Sequence, residues 1–263
     1  MHCFRPNAVA MTALSLLLAG CSTAVTQNDP PVFAASVAQK ASVVPDLEPT
    51  IRQAALDAEA SYKYGEAAGH YATLLEKHPD DETIVLAVAR NLRFAGSAQQ
   101  AAQVINARIA KAGVKVPLLI ELGKDYLAAD QLNLAVPALE QAKGMTASDW
   151  EIYSALGVAL DYQGEYQQAQ EAYQAGLKLS ANNPDLLNNY ALSLAQSKQL
   201  DQAITELQKA IDQPAATAQI RQNLALLLAL KGDQSGAGRL IRTDLPDDMA
   251  KNNIGYYQGL VAQ

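Results

Sequence analysis

Side chains able to do chemistry are scarce in this chain of 263 residues. Its two thiols are Cys3 and Cys21, and its three imidazoles are His2, His70 and His78. A protein zinc site needs three or four converging ligands. His70 and His78 lie on one expected helix or its end, with no third ligand near them in the sequence. No phosphate-cradling glycine loop, serine-nucleophile motif or catalytic carboxylate pair is present. The acidic pairs Asp80-Asp81 and Asp247-Asp248 fall where helices are expected to begin, and there the helix dipole favours negative charge. The expectation is therefore a protein that is not an enzyme, with no cofactor and no metal. A formal net charge of −7 without a basic block also argues against nucleic acid as a partner.

Cys21 has a context that Cys3 lacks. Residues 8–20 form an uncharged run behind Arg5, too short to span a bilayer, which takes about 20 residues, and suited to the apolar core of a secretory leader. The run closes in Leu18-Ala19-Gly20-Cys21, which resembles the lipobox of bacterial lipoprotein precursors. That resemblance implies removal of residues 1–20 as a signal peptide and lipidation, palmitate included, of Cys21. Each buried methylene of an acyl chain contributes about 0.8 kcal/mol to membrane attachment. Ser22, in place of an aspartate, implies sorting to the outer membrane, with the body on its periplasmic face. Residues 21–47 carry Pro30-Pro31 and Pro45 without sustained helical period, and are read as the lipidated cysteine and a flexible tether. As a flexible chain the tether spans roughly 28 Å.

The remainder reads as helix. Hydrophobic residues make up 49% of the chain but aromatics only 6%, because 49 residues are alanine. Small apolar side chains suit closely approaching helices and fit poorly in a β-rich core. From residue 48 the pattern repeats every 34 residues: Ala67, Ala101, Ala135, Ala169, Ala203 and Ala237. Twelve residues before each lies a small residue (Ala55, Ala89, Gly123, Gly157, Ala191, Ala225), and four after each a large one (Tyr71, Ile105, Leu139, Tyr173, Leu207, Ile241). Small residues in both halves let two antiparallel helices approach, while large ones fill the space beside the contact. Gly96, Gly164 and Gly232 mark the turns between halves, with Asp130 and Lys198 in their place in two units. Ser148 with Glu151 forms a candidate capping box, Asn183 precedes an N1 proline, and Asp80 or Asp81 can cap another helix.

This spacing resembles the tetratricopeptide repeat, most closely in Leu156-Gly157, Leu160, Gly164, Tyr166, Ala169 and Tyr173. The implied fold is all-α: a right-handed solenoid of six helix–turn–helix units over residues 48–81, 82–115, 116–149, 150–183, 184–217 and 218–251. A helix over about 247–262 would cover the last exposed face, residues 252–263 forming its end. First helices of such units line a concave groove for a partner's peptide or helix. Carried over by repeat position, groove residues here are Arg90, Arg93, Phe94, Lys124, Tyr162 and Asn188, with Glu151 and Asp161 among them. Three cations concentrated in one stretch would favour a ligand bearing carboxylates.

Several short motifs go further: Asp149-Trp150, Leu156 to Asp161, Asn188-Asn189-Tyr190, Arg221 to Leu226 and Asp244-Leu245-Pro246. In this order the chain resembles the TadD family, tetratricopeptide lipoproteins of the tight-adherence (Flp, type IVb) pilus assembly system, over about residues 145–257. The resemblance implies a non-enzymatic adaptor, lipid-anchored at the outer membrane, whose partners are the pilus secretin and other assembly proteins. The alternatives are a general periplasmic scaffold or a regulatory subunit of another envelope complex, such as a β-barrel assembly or a peptidoglycan enzyme.

Overall fold

The computed structural model describes residues 47–261, so Cys21 and the leader and tether readings that surround it lie outside the described residues. Thirteen helices and no strand are found among them. They form six antiparallel pairs: α1 (Glu48–Ala60) with α2 (Tyr64–Lys77), α3 (Glu82–Phe94) with α4 (Ala98–Ala112), α5 (Val116–Ala128) with α6 (Leu132–Met145) and α7 (Trp150–Tyr162) with α8 (Tyr166–Leu179). The last two pairs are α9 (Pro184–Gln196) with α10 (Leu200–Ile211) and α11 (Ala218–Lys231) with α12 (Gln234–Asp244), and α13 (Asp247–Val261) closes the array. First helices start at 48, 82, 116, 150, 184 and 218, second helices at 64, 98, 132, 166, 200 and 234. The fold is a tetratricopeptide-type helical solenoid, and its contacts are local, as the repeat demands.

Each helix packs on its successor, and α3, α5, α7, α9 and α11 also touch one another in series. The second helices make no comparable series of contacts among the described residues. The stack is therefore tighter on the side of the first helices, which line the concave face. The repeated alanines of the second helices are almost wholly buried, and so are the large residues four positions on. Gly157 lies directly beneath the Tyr173 ring and Gly123 beneath the Leu139 side chain, so in these units the large residue sits on the small one rather than beside it. The α13 helix packs on α11 and α12 and buries Ala250 against Ala225, Ala237 and Ile241.

The six intra-pair turns share one construction. Tyr62, Gly96, Asp130, Gly164, Lys198 and Gly232 all have positive φ, between 57° and 97°. The amide of each bonds three residues back, and the next amide five residues back, as in Gly164 N to Asp161 O (3.0 Å) and Glu165 N to Leu160 O (2.9 Å). This is a Schellman ending, and it satisfies the last carbonyls of each first helix. The sequence pattern accounts for five of these positions. Tyr62 is the sixth, 80% exposed in a backbone region that disfavours a β-carbon. Glycine at Tyr62 or Lys198 should raise the unfolding free energy by about 0.5–1 kcal/mol, and at Asp130 by less, since aspartate tolerates this conformation. Urea denaturation checks this, and loss of stability at all three positions would refute the strain.

Helix starts follow the chemistry of exposed amides. Asp81 caps α3, accepting from Thr83 N (2.9 Å) and Ile84 N (3.3 Å), and Asn183 caps α9 through Leu186 N (3.1 Å). The capping box expected from Ser148 does not form. Asp149 caps α7 through Glu151 N (2.9 Å), and the Ser148 hydroxyl turns to Thr146 instead. A carboxylate one residue closer to the helix outcompetes the hydroxyl for the same amides.

Candidate functional site

The concave face between α3 and α9 holds two adjoining open cavities that share Val158, Tyr162 and Asn189 in their linings. The first, of about 350 Å³, is lined by Arg93, Lys124, Leu127, Ala128, Ser154, Ala155, Val158, Tyr162 and Asn189. The second, of about 330 Å³, is lined by Val158, Asp161, Tyr162, Tyr173, Asn189, Leu192 and Gln196. The walls follow from helix periodicity. Ser154, Val158 and Tyr162 stand one turn apart on α7, and Asn189, Leu192 and Gln196 share a face of α9. The lining combines aliphatic side chains with the Arg93 guanidinium, the Lys124 ammonium, the Asp161 carboxyl and the amides of Asn189 and Gln196.

The six expected groove residues divide into three groups. Phe94 and Tyr162, the last residues of α3 and α7, are 52% and 69% exposed. Arg90 is exposed on α3, and no hydrogen bond or ion pair is found for it among the described residues. The other three are engaged by the protein itself. Arg93 reaches across to α5, where Nη2 donates to Glu121 (2.7 Å) and Nε to Asp125 (3.0 Å). Lys124 pairs with Glu151 at 2.7 Å. Asn188 is buried and accepts from Asn223 Nδ2 at 2.8 Å, joining α9 to α11. Much of the positive charge expected to attract carboxylates is thus already balanced by acids on neighbouring repeats.

Two acids, buried Asp125 and half-buried Asp161, tie these helices together. Asp125 is fully buried, and burial together with nearby Glu121 pushes its carboxyl up to about 8 despite the Arg93 guanidinium. Its Oδ2 is buried without a hydrogen-bond partner. Asp161 accepts from Ser193 Oγ (2.6 Å) and Tyr173 OH (2.8 Å), a bridge from α7 to α8 and α9. Burial raises this carboxyl too, against those two hydrogen bonds. Expected groove residue Asp161 therefore reaches the cavity wall while serving to hold three helices together.

Sequence reasoning passes over Val158, Leu192, Ala128, Leu127 and Gln196, although Val158 and Leu192 keep the 34-residue register of Arg90 and Lys124, Leu127 that of Arg93, and Ala128 and Gln196 that of Phe94 and Tyr162. They carry no charge to draw attention, yet they line the two cavities. Asn189, common to both cavities, lies one residue beyond the family's groove positions, and its Nδ2 is 3.5 Å from Ser154 Oγ. His70 and His78 are not joined in a cluster: His78 Nε2 meets Glu48 at 2.7 Å, and no group of three or more metal-ligating side chains is found among the described residues. No helix of the described residues is long and apolar enough to cross a membrane.

A tetratricopeptide-repeat family model matches residues 154–219, the stretch that forms most of the α7–α9 wall. Solved structures of the same architecture include a thermophilic tetratricopeptide protein from Thermus thermophilus, with a TM-score of 0.62 and 19% identity, covering 69% of this chain and 98% of that one. A tetratricopeptide protein from Parabacteroides merdae gives a TM-score of 0.66 at 12% identity, covering 81% and 86%. Pseudomonas aeruginosa PilF gives 0.56 at 16% identity, covering 74% and 89%. At these identities the likeness is one of fold. No curated protein matches the sequence. Repeats of this architecture typically serve as non-catalytic scaffolds for protein partners.

Proposed function

We propose that the chain is an outer-membrane lipoprotein adaptor for assembly of a tight-adherence (Flp) pilus, holding a segment of the secretin or of an associated component in its concave trough. The observation that carries the binding role is the open trough around Tyr162, lined in part by Leu127, Val158 and Leu192, which the described residues do not fill. A water-exposed apolar channel of this kind gains free energy when a partner covers it. The pilus assignment is supported by the ordered motifs of the C-terminal half, two of which act on each other. Arg221, from the first motif of the sixth unit, grips the Asp244 carboxylate with Nε and Nη2. The anchor is supported by Leu18-Ala19-Gly20-Cys21.

A complementation experiment tests both parts. Deleting the gene should lower secretin level or multimerisation and pilus output. The intact chain should restore them, while Cys21→Ser should either leave membranes or accumulate as precursor and fail to restore them. Unchanged secretin and pili in the deletion strain would reject the pilus role. A Cys21→Ser protein that fractionates with membranes and carries undiminished acyl label would reject the anchor.

A further inference from the structure

We propose that the partner enters the trough as an extended strand with two apolar anchors five or six residues apart, one against Phe94 and one against Tyr162, and a carboxylate beside the first anchor facing Arg90. This rests on the trough being the partner-binding site and specifies what it binds.

Phe94 and Tyr162 end their helices at equivalent points, 68 residues apart in sequence and two units apart in the array. Both are large and more than half exposed. The helix between them, α5, ends in exposed Ala128, so the two rings stand as posts on either side of a recess. The larger cavity runs along this recess, from Arg93 beside the first post to Tyr162 at the second. The first post is braced. Tyr64 lies 5.0 Å from the Phe94 ring and the Arg93 guanidinium 4.8 Å above it, and Tyr62 meets Tyr64 edge-on at 6.2 Å. Tyr62 holds a left-handed backbone where three other units use glycine, so a conformational cost is accepted at the edge of this aromatic cluster.

The spacing follows from helix packing. Since α3, α5 and α7 touch in series and packed helices lie 8–10 Å apart, the posts are roughly 16–20 Å apart. An extended chain rises about 3.3 Å per residue and covers that distance in five or six residues, whereas a helix would need about twelve. Charge sets the polarity of the segment. Arg93 and Lys124 are balanced by Glu121, Asp125 and Glu151, which leaves Arg90, one turn before Phe94, as the groove cation without an ion pair among the described residues. A partner carboxylate therefore gains most at the Phe94 end.

Fluorescein-labelled synthetic peptides in a Gly/Ser background, with two leucines at spacings of three, five, six, nine or twelve and a glutamate beside the first, test this against the full-length chain by anisotropy. Affinity should peak at five or six and fall at least tenfold at three and at nine. Phe94→Ala and Tyr162→Ala, both at exposed sites, should each weaken binding about tenfold. Ala128→Trp, which fills the recess, should abolish the spacing preference. Arg90→Glu should weaken the glutamate peptide and spare its glutamine counterpart. Equal affinity at all spacings, a maximum at twelve, indifference to both post variants, or no binding by any peptide would overturn the proposal. Pull-down of the pilus partner separates the two readings. If the intact chain retains the partner but shows no spacing preference, the two-post geometry fails and the adaptor role stands. With a clear spacing preference but no partner retention, the geometry stands and the pilus adaptor role fails.

Discussion

Replacing Arg93 by alanine should destabilise the solenoid by about 3–5 kcal/mol at pH 8, the effect of removing one partner from a buried ion pair. The guanidinium joins α3 to α5 and, among the described residues, is the one cation paired with both Glu121 and Asp125, two buried acids one helical turn apart. Without it the two acids are left buried beside each other, and the remaining cation near Asp125, Lys124, is turned toward Glu151. The loss should shrink on acidification, because protonated carboxyls are cheaper to bury. Asp125 already behaves this way in the intact chain. Its carboxyl is raised from the ordinary 3.8 to about 8, so its contribution is fully present below pH about 4 and is lost as pH rises through 8. Asp125→Asn keeps an oxygen for Arg93 Nε, removes the titration, and should flatten the fall in stability between pH 5 and 8.5. Urea melts of the three proteins at both pH values decide the matter. An Arg93→Ala loss independent of pH, or an unaltered pH slope in Asp125→Asn, would contradict this account.

A single methyl group added at Gly157 should cost about 1–3 kcal/mol, although alanine is the better helix former by about 1 kcal/mol. A β-carbon there would lie 2.5 Å from Cε1, 2.6 Å from Cζ and 2.8 Å from Cδ1 of Tyr173. Retreat is blocked, because the ring is 1% exposed and its hydroxyl is tied to Asp161 at 2.8 Å. The α7 and α8 helices must then part, and close packing is lost along their length. Gly65→Ala and Gly69→Ala on α2 provide the contrast, since beyond the helix's own backbone and their chain neighbours no atom of the described residues lies within 4 Å of either β-carbon, and these should gain up to about 1 kcal/mol. Thermal unfolding of the three variants separates propensity from packing. If Gly157→Ala proves as stable as the α2 variants, the close approach is not what maintains the pair. Shortening the neighbour in a Gly157→Ala/Tyr173→Leu protein should recover part of the loss.

The repeat is legible because its causes are local and periodic. Alanines 34 residues apart, a large residue four positions later and glycine at the turn each answer to one packing contact or one left-handed residue, so their spacing survives in the sequence. Tyr62 escapes the same logic: a tyrosine carries no turn signal, and only its place in the register, 34 residues before Gly96, marks it. The trough is half legible. Tyr162 lines it, while Phe94 and Arg90 are exposed on α3 and belong to the lining of neither cavity. Its apolar walls at Val158, Leu192 and Ala128 escape notice because uncharged residues on a helix look like any other core positions until the neighbouring helices are in place.

Helix content, unit length and the order of the pairs were all encoded in the periodicity of the amino acids, since each depends on neighbours less than one repeat away. The state of the charges was not. Arg93, Glu121 and Asp125 are separated by as many as 32 residues, and whether a cation meets a partner's acid or its own depends on the distance between adjacent helices. That distance, here between α3 and α5, belongs to the packing of one repeat on the next, a property of side chains in three dimensions.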